Sequence, residues 1–156
     1  MSEREIVATG GCQCGAVRYA FYAPLEKSHV CHCRMCQRAT GGLFAALAGG
    51  SPANFEWTRG KPAFFASSNL AQRGFCAKCG TPLSFKYHYD GARLYVTIGS
   101  LDEPEKTPII IQYGIESRLN WVKFCEDVPA ERTGEDAAAQ EFFAGMQDNQ
   151  KGVNGL

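Results

Sequence analysis

The sequence predicts a mainly β protein built from many short strands, with little helix. Three observations carry that expectation. Short runs alternate apolar and polar residues with a period of two, as in Val17, Tyr19 and Phe21 against Arg18, Ala20 and Tyr22, which is the mark of a half-buried strand. Turn chemistry recurs between the runs, at Gly49-Gly50-Ser51-Pro52, Arg59-Gly60-Lys61-Pro62 and Asp90-Gly91. Helical spacing of useful length occurs only near the C-terminus, at Ala139, Phe143 and Met146.

Taken in order, Ile6 and Val7 lead into a strand that ends in the glycine turn before Cys12, and Val17–Tyr22 forms the next, closed by Pro24. Ser28-His29-Val30 reads as a short strand delivering Cys31, and Gln37–Thr40 as one helical turn broken by Gly41-Gly42. Leu43–Leu47 is a compact apolar run expected as a buried strand, with Gly49-Gly50 beyond it as a turn. Asn54–Thr58, which alternates Phe55 and Trp57, is a further strand. Phe64–Ala66 and Gln72–Phe75 follow, the second bringing in Cys76. Leu83, Phe85 and Tyr87 alternate into a hairpin at Asp90-Gly91, whose second strand is Leu94–Ile98. Ile109–Ile111 and Trp121–Phe124 are further short strands, and Thr133-x-x-Asp136 is a capping box for the C-terminal helix, with fraying expected from Asn149.

At 156 residues the chain can bury a real core. Lys plus Arg and Asp plus Glu are equal at 16 each, so no broad electrostatic pull toward nucleic acid or acidic membranes is expected. The polar start Met1-Ser-Glu-Arg-Glu-Ile lacks the apolar stretch of a signal peptide. No apolar run approaches the roughly 20 residues that span a bilayer. A soluble, cytoplasmic protein in a reducing compartment follows, where clustered thiols argue for metal rather than disulfides.

The chemistry lies in those thiols. Seven of the eight cysteines are clustered, as Cys12/Cys14, Cys31/Cys33/Cys36 and Cys76/Cys79, and Cys125 stands alone, read as a small buried apolar residue. Seven is four plus three: four thiolates close a tetrahedral zinc site, and three leave one position open. The two-residue spacer of Cys76-Ala-Lys-Cys79 turns both sulfurs toward one ion, and Gly80 permits the positive φ that follows. Cys12-x-Cys14 supplies the other half by bending between its thiols. Such a zinc knuckle contributes folding free energy, roughly 10 kcal/mol or more.

At the central trio, three thiolates around a dication leave a net negative charge. Zinc held there suits a soft fourth ligand such as a substrate thiolate better than it suits hydroxide generation. A thiol held this way is a nucleophile toward an aldehyde carbon. Arg34 and Arg38 are candidates to offset the charge or receive a carboxylate, against a plain role as solvated loop charges. Other readings stay open: the trio closed by His32 or His29, though His32 lies between two ligands where neighbouring side chains point apart; an iron–sulfur cluster; Phe44, Trp57 and Phe75 as core or as pocket walls.

Three segments carry a resemblance: Gly11-Cys12-x-Cys14-Gly15-Ala16-Val17-Arg18-Tyr19, Cys31-His32-Cys33-x-x-Cys36-x-x-x-Thr40-Gly41, and Phe75-Cys76-x-x-Cys79-Gly80-Thr81-Pro82-Leu83. With Gly99-Ser100-Leu101-Asp102 and Arg118-Leu119-x-Trp121 downstream, the chain resembles the glutathione-dependent formaldehyde-activating enzyme family, which shares its domain with centromere protein V. The resemblance implies an Mss4-like fold of short antiparallel sheets over residues 1–135, with a C-terminal helix and tail over 136–156. It implies a carbon–sulfur lyase that joins a thiol such as glutathione to a small aldehyde such as formaldehyde. Cys12, Cys14, Cys76 and Cys79 match the family's structural zinc ligands, and Cys31, Cys33 and Cys36 those of its catalytic zinc. The competing expectations are a zinc-stabilised protein-binding module without catalytic activity, and redox or metal sensing by the trio.

Overall fold

The computed structural model describes residues 4–123, 129, 132 and 135–145. Its strands form two sheets. The smaller has the order β1-β2-β5 and is antiparallel throughout. It contains β1 (Ala8–Gly11), β2 (Arg18–Phe21) and β5 (Phe55–Arg59). The larger has seven strands in the order β10-β3-β4-β9-β8-β7-β6. These are β3 (Glu26–Cys31), β4 (Ala45–Gly50), β6 (Ala63–Ala66), β7 (Ala71–Phe75), β8 (Pro82–Tyr87), β9 (Leu94–Thr97) and β10 (Ile111–Tyr113). Neighbours are antiparallel except β10, which lies parallel to β3 with Tyr113 beside Cys31. Two short α-helices, α1 (Arg34–Thr40) and α2 (Ala137–Phe143), and four 3₁₀ turns complete the elements of the described residues.

The core sits between the sheets. Tyr19 and Phe21 of β2 meet Leu83 of β8 and Val96 of β9, all almost fully buried, and Cys12 and Cys76 belong to the same cluster. Phe55 and Trp57 close it from β5, their rings 4.8 Å apart and edge to face, the arrangement favoured by the ring quadrupoles. Tyr19 keeps its hydroxyl satisfied by a 2.8 Å hydrogen bond with Ser100 Oγ. A buried phenol needs such a partner.

Several expectations change at this level. Arg18 is buried rather than outward-facing, because its guanidinium pairs with Asp102. The apolar run begins its strand at Ala45, leaving Leu43 outside and exposed, and the strand continues through Gly49 and Gly50. Those glycines mark close approach instead of a turn. A Cβ on Gly50 would stand 2.5 Å from the Phe21 ring, and one on Gly49 would stand 2.7 Å from the Tyr95 ring. The turn begins one residue later, where Ser51 caps a 3₁₀ turn over Pro52–Asn54. The Ile109–Ile111 strand is shifted to Ile111–Tyr113. Trp121 stands exposed in a turn rather than in a strand.

Other elements fall where the pattern put them. The hairpin at Asp90-Gly91 joins β8 to β9, with Gly91 at φ 75°. The start of the C-terminal helix differs from the expected box: Asp136 is itself the N-cap of α2 rather than its third residue, accepting from the backbone N–H groups of Ala138 and Ala139. Thr133, Met146, the Phe143 side chain, Phe124, Cys125 and the tail from Asn149 lie outside the described residues. No helix among the described residues is long and apolar enough to cross a membrane.

Candidate metal centres and the cavity beside one of them

The first cluster joins two turns more than sixty residues apart. Cys12 and Cys14 follow β1, and Cys76 and Cys79 follow β7. Gly15 at φ 74° and Gly80 at φ 78° complete the turns in the left-handed region, where a side chain would be strained. The four sulfurs lie within 4.8 Å of one another. Cys12 Sγ is 3.5 Å from Cys14 Sγ, and Cys14 Sγ is 3.8 Å from Cys76 Sγ. A tetrahedron with metal–sulfur bonds of ~2.3 Å has edges of about 3.8 Å, whereas a disulfide would need about 2.05 Å. The spacing therefore fits four sulfurs around one ion.

Hydrogen bonds aim at these sulfurs. The Val17 backbone N–H donates to Cys12 Sγ over 3.2 Å, and Cys79 Sγ lies 3.2 Å from Thr81 Oγ1. Burial alone would push the Cys79 thiol up, but the contacts with Thr81 and Cys14 outweigh it and bring the group down to about 6. Thr81 also ties the two turns together, its hydroxyl accepting from Gln13 N and its carbonyl from Cys76 N.

The second cluster is built at the junction of β3 and α1. Cys31 ends the strand, Cys33 caps the helix, and Cys36 lies in its first turn. Cys33 Sγ accepts the Cys36 backbone N–H at 3.4 Å, filling the role a serine or aspartate oxygen takes at other helix starts. The three sulfurs lie within 4.8 Å of one another, and no fourth His, Cys, Asp or Glu joins them among the described residues. Cys36 is held down to about 5, first by its contact with Cys31 and then, against desolvation, by Arg73. The Cys31 thiol is pushed up by the same contact with Cys36 and by burial.

The cation at this cluster comes from β7. Arg73 Nη2 donates to Cys36 Sγ over 3.4 Å, its Nε donates to Ser67 Oγ over 3.0 Å, and its guanidinium lies 4.7 Å from the centre of the Phe85 ring. Arg34 instead donates to Gln37 Oε1 at 2.5 Å, and Arg38 is exposed. Sequence reasoning placed Arg73 on a strand without a role, since only the pairing of β7 with β8 brings it over Phe85. His32 is fully buried and does not join the sulfurs. Its Nε2–H donates to Gln112 Oε1 over 2.9 Å, and its Nδ1 has no hydrogen-bond partner among the described residues. His29 commits Nδ1 to the Lys27 carbonyl at 2.7 Å.

A cavity of about 520 Å³ opens over the trio, walled by Phe85, Tyr87, Tyr95 and Tyr113 with Arg73 at one side. Phe85 is thus a wall, as are tyrosines that the sequence did not single out. Phe44 packs edge to face on His32, Trp57 belongs to the core, and Phe75 is partly exposed.

The comparisons with known proteins agree with the cysteine pattern. A sequence model described as "Glutathione-dependent formaldehyde-activating enzyme" matches residues 7–114. The chain belongs to the glutathione-dependent formaldehyde-activating enzyme family. Both of its sulfur clusters fall inside the matched span, and the mainly β architecture around them agrees with an Mss4-like fold. Among solved structures, a Rhodobacter sphaeroides protein from a structural-genomics programme is similar to it at 21% identity and a TM-score of 0.54. That match covers 67% of this chain and 98% of the other, and shows likeness of fold alone. The family match and the two clusters, four sulfurs in one place and three in another, agree with a protein whose cysteines could hold metal.

Proposed function

We propose that this protein is a zinc-dependent carbon–sulfur lyase that forms or breaks an adduct between a thiol, such as glutathione, and a small aldehyde. Cys12, Cys14, Cys76 and Cys79 hold a structural zinc in this reading, and Cys31, Cys33 and Cys36 hold a second one. The observation that carries it is the pairing of an incomplete donor set with a cavity: three sulfurs within 4.8 Å, and a space of about 520 Å³ above them. Zinc bound there supplies a soft positive centre that favours the deprotonated form of an incoming thiol.

The protein's own groups do the rest. Cys33, as helix cap, and Cys31, as strand end, fix where the sulfurs point. Arg73 offsets part of the excess negative charge at Cys36, whose own burial strengthens the attraction. In the addition direction a sulfur–carbon bond forms and the carbonyl π bond opens, and the thiol's proton ends on the new hydroxyl oxygen. Cleavage is the same path reversed.

The test is the rate of adduct formation and breakdown for a thiol and aldehyde pair, compared between the native protein and Cys33→Ser. The serine keeps the helix cap while removing one sulfur. The expected result is loss of most of the acceleration together with one zinc per chain. Equal rates in the two proteins would remove the enzyme reading and leave the zinc-stabilised binding module.

A further inference from the structure

Five rings run side by side across the larger sheet beneath the cavity. Tyr87 and Phe85 of β8 are 4.8 Å apart, Phe85 and Tyr95 of β9 are 6.2 Å apart, Tyr95 and His29 of β3 are 5.3 Å apart, and His29 and Tyr113 of β10 are 5.0 Å apart. Strand β4 lies between β3 and β9 and would interrupt the series. It does not, because its residue opposite Tyr95 is Gly49, over which the tyrosine ring folds. All five rings line the cavity that holds the three sulfurs.

Several of these groups remain open to solvent. Tyr87 is 41% exposed and Tyr113 is 45% exposed, and Leu70 at the same rim is 62% exposed. Large apolar side chains left uncovered around one concavity mark a ligand site rather than a packing need. Fixed charge is scarce: among the described residues Arg73 is the one lysine, arginine, aspartate or glutamate on the wall, and two of its donors are engaged by Ser67 and Cys36.

Resting on the thiol–aldehyde reading above, we infer that the carbonyl substrate is an aldehyde with an aromatic or similarly flat apolar body, rather than formaldehyde. A two-heavy-atom aldehyde would touch almost none of the ring strip and would leave it wet. A phenyl group laid on the strip would remove apolar surface on both sides from water and gain ring–ring contact, worth roughly tenfold or more in preference. The reacting carbon then lies over the sulfurs while the body extends toward Tyr87 or Tyr113.

The zinc-loaded protein with glutathione should be assayed against phenylacetaldehyde and formaldehyde, each rate divided by the uncatalysed rate of the same pair. Calorimetry with 2-phenylethanol, which cannot react, measures binding separately. The expected result is at least a tenfold larger acceleration for phenylacetaldehyde, with saturable 2-phenylethanol binding. Tyr113→Ala and Tyr87→Ala, both at half-exposed positions and each checked for an unchanged cooperative unfolding transition, should weaken that binding and shrink the ratio. Equal or greater acceleration of formaldehyde with no 2-phenylethanol binding would overturn this inference and leave the thiol–aldehyde reading standing. An aldehyde ratio unmoved by both tyrosine variants would overturn it as well. Acceleration of neither aldehyde would remove the thiol–aldehyde reading, and this inference with it.

Discussion

Arg18 and Asp102 form a two-pronged ion pair inside the protein. Nη1 donates to Oδ1 over 2.9 Å and Nη2 donates to Oδ2, which also accepts from Thr9 Oγ1 at 2.5 Å. The side chains are only 7% and 9% exposed, so the pair joins β1, β2 and the loop after β9 in a place that water scarcely reaches.

This pair predicts a pH dependence of stability. Burial would raise the Asp102 carboxyl, but the hydrogen bonds from Arg18 and Thr9 more than reverse that and hold it below the usual carboxylate range. A carboxyl lowered on folding contributes stability above its unfolded pKa, and that contribution is lost as pH falls through the folded value. Asp102→Asn strands a buried guanidinium and should cost about 3–5 kcal/mol at neutral pH. Denaturant unfolding at descending pH should show the deficit shrinking in acid. A deficit that stays constant would separate the carboxylate from the stability.

Gly114 predicts a route to the trio from outside it. It sits at φ 63°, and a Cβ there would stand 2.9 Å from the Cys33 backbone nitrogen. Gly114→Ala should therefore displace Cys33 and lower zinc content from two per chain toward one. Gly41 offers the control, with φ 69° and open space around it. Gly41→Ala should cost only the backbone strain, about 1–2 kcal/mol, and keep both metals. Metal analysis and thermal unfolding of the two variants give the comparison.

The two clusters should fail differently. Cys76 is part of the main core, while Cys36 belongs to a small cluster with Ala45 and Leu47. Cys76→Ser should remove much of the roughly 10–16 kcal/mol that a structural zinc contributes and leave the protein unfolded by near-ultraviolet circular dichroism. Cys36→Ser should keep a cooperative unfolding transition and lose one metal and the activity.

Arg73 and Arg34 should also separate. Arg73→Gln removes the guanidinium from Cys36 and from the Phe85 face, and kcat/KM for adduct formation should fall on the order of tenfold or more. Arg73→Lys should rescue only part, because an ammonium cannot span Ser67 and Cys36 as the planar fork does. Arg34→Gln should leave kcat/KM within about twofold, as expected for a side chain outside the cavity wall.

What the sequence disclosed was local in its physics. The sulfur pairs, Gly15, Gly80 and the Asp90-Gly91 hairpin are fixed by neighbours within a few residues, so spacing and turn chemistry sufficed. Arg73, Tyr95 and Tyr113 gain their meaning from register: β7 against β8, Gly49 opposite Tyr95, and β10 alongside β3. Nothing within a short window reports those pairings. Arg18 was misread for the same reason, since its partner lies 84 residues away. Gly49 and Gly50 were misread because a glycine that yields room to a ring looks, in sequence, like one that permits a turn.

The parallel pairing of β10 with β3 has a consequence for biosynthesis. A growing chain emerges from the ribosome with Cys31, Cys33 and Cys36 long before Tyr113, whose backbone carbonyl receives the His32 N–H at 2.9 Å. Until then the nascent polypeptide carries its thiols with the Tyr113 side of the cavity unbuilt. The order of translation thus leaves a window in which these thiols can be oxidised or capture a stray cation.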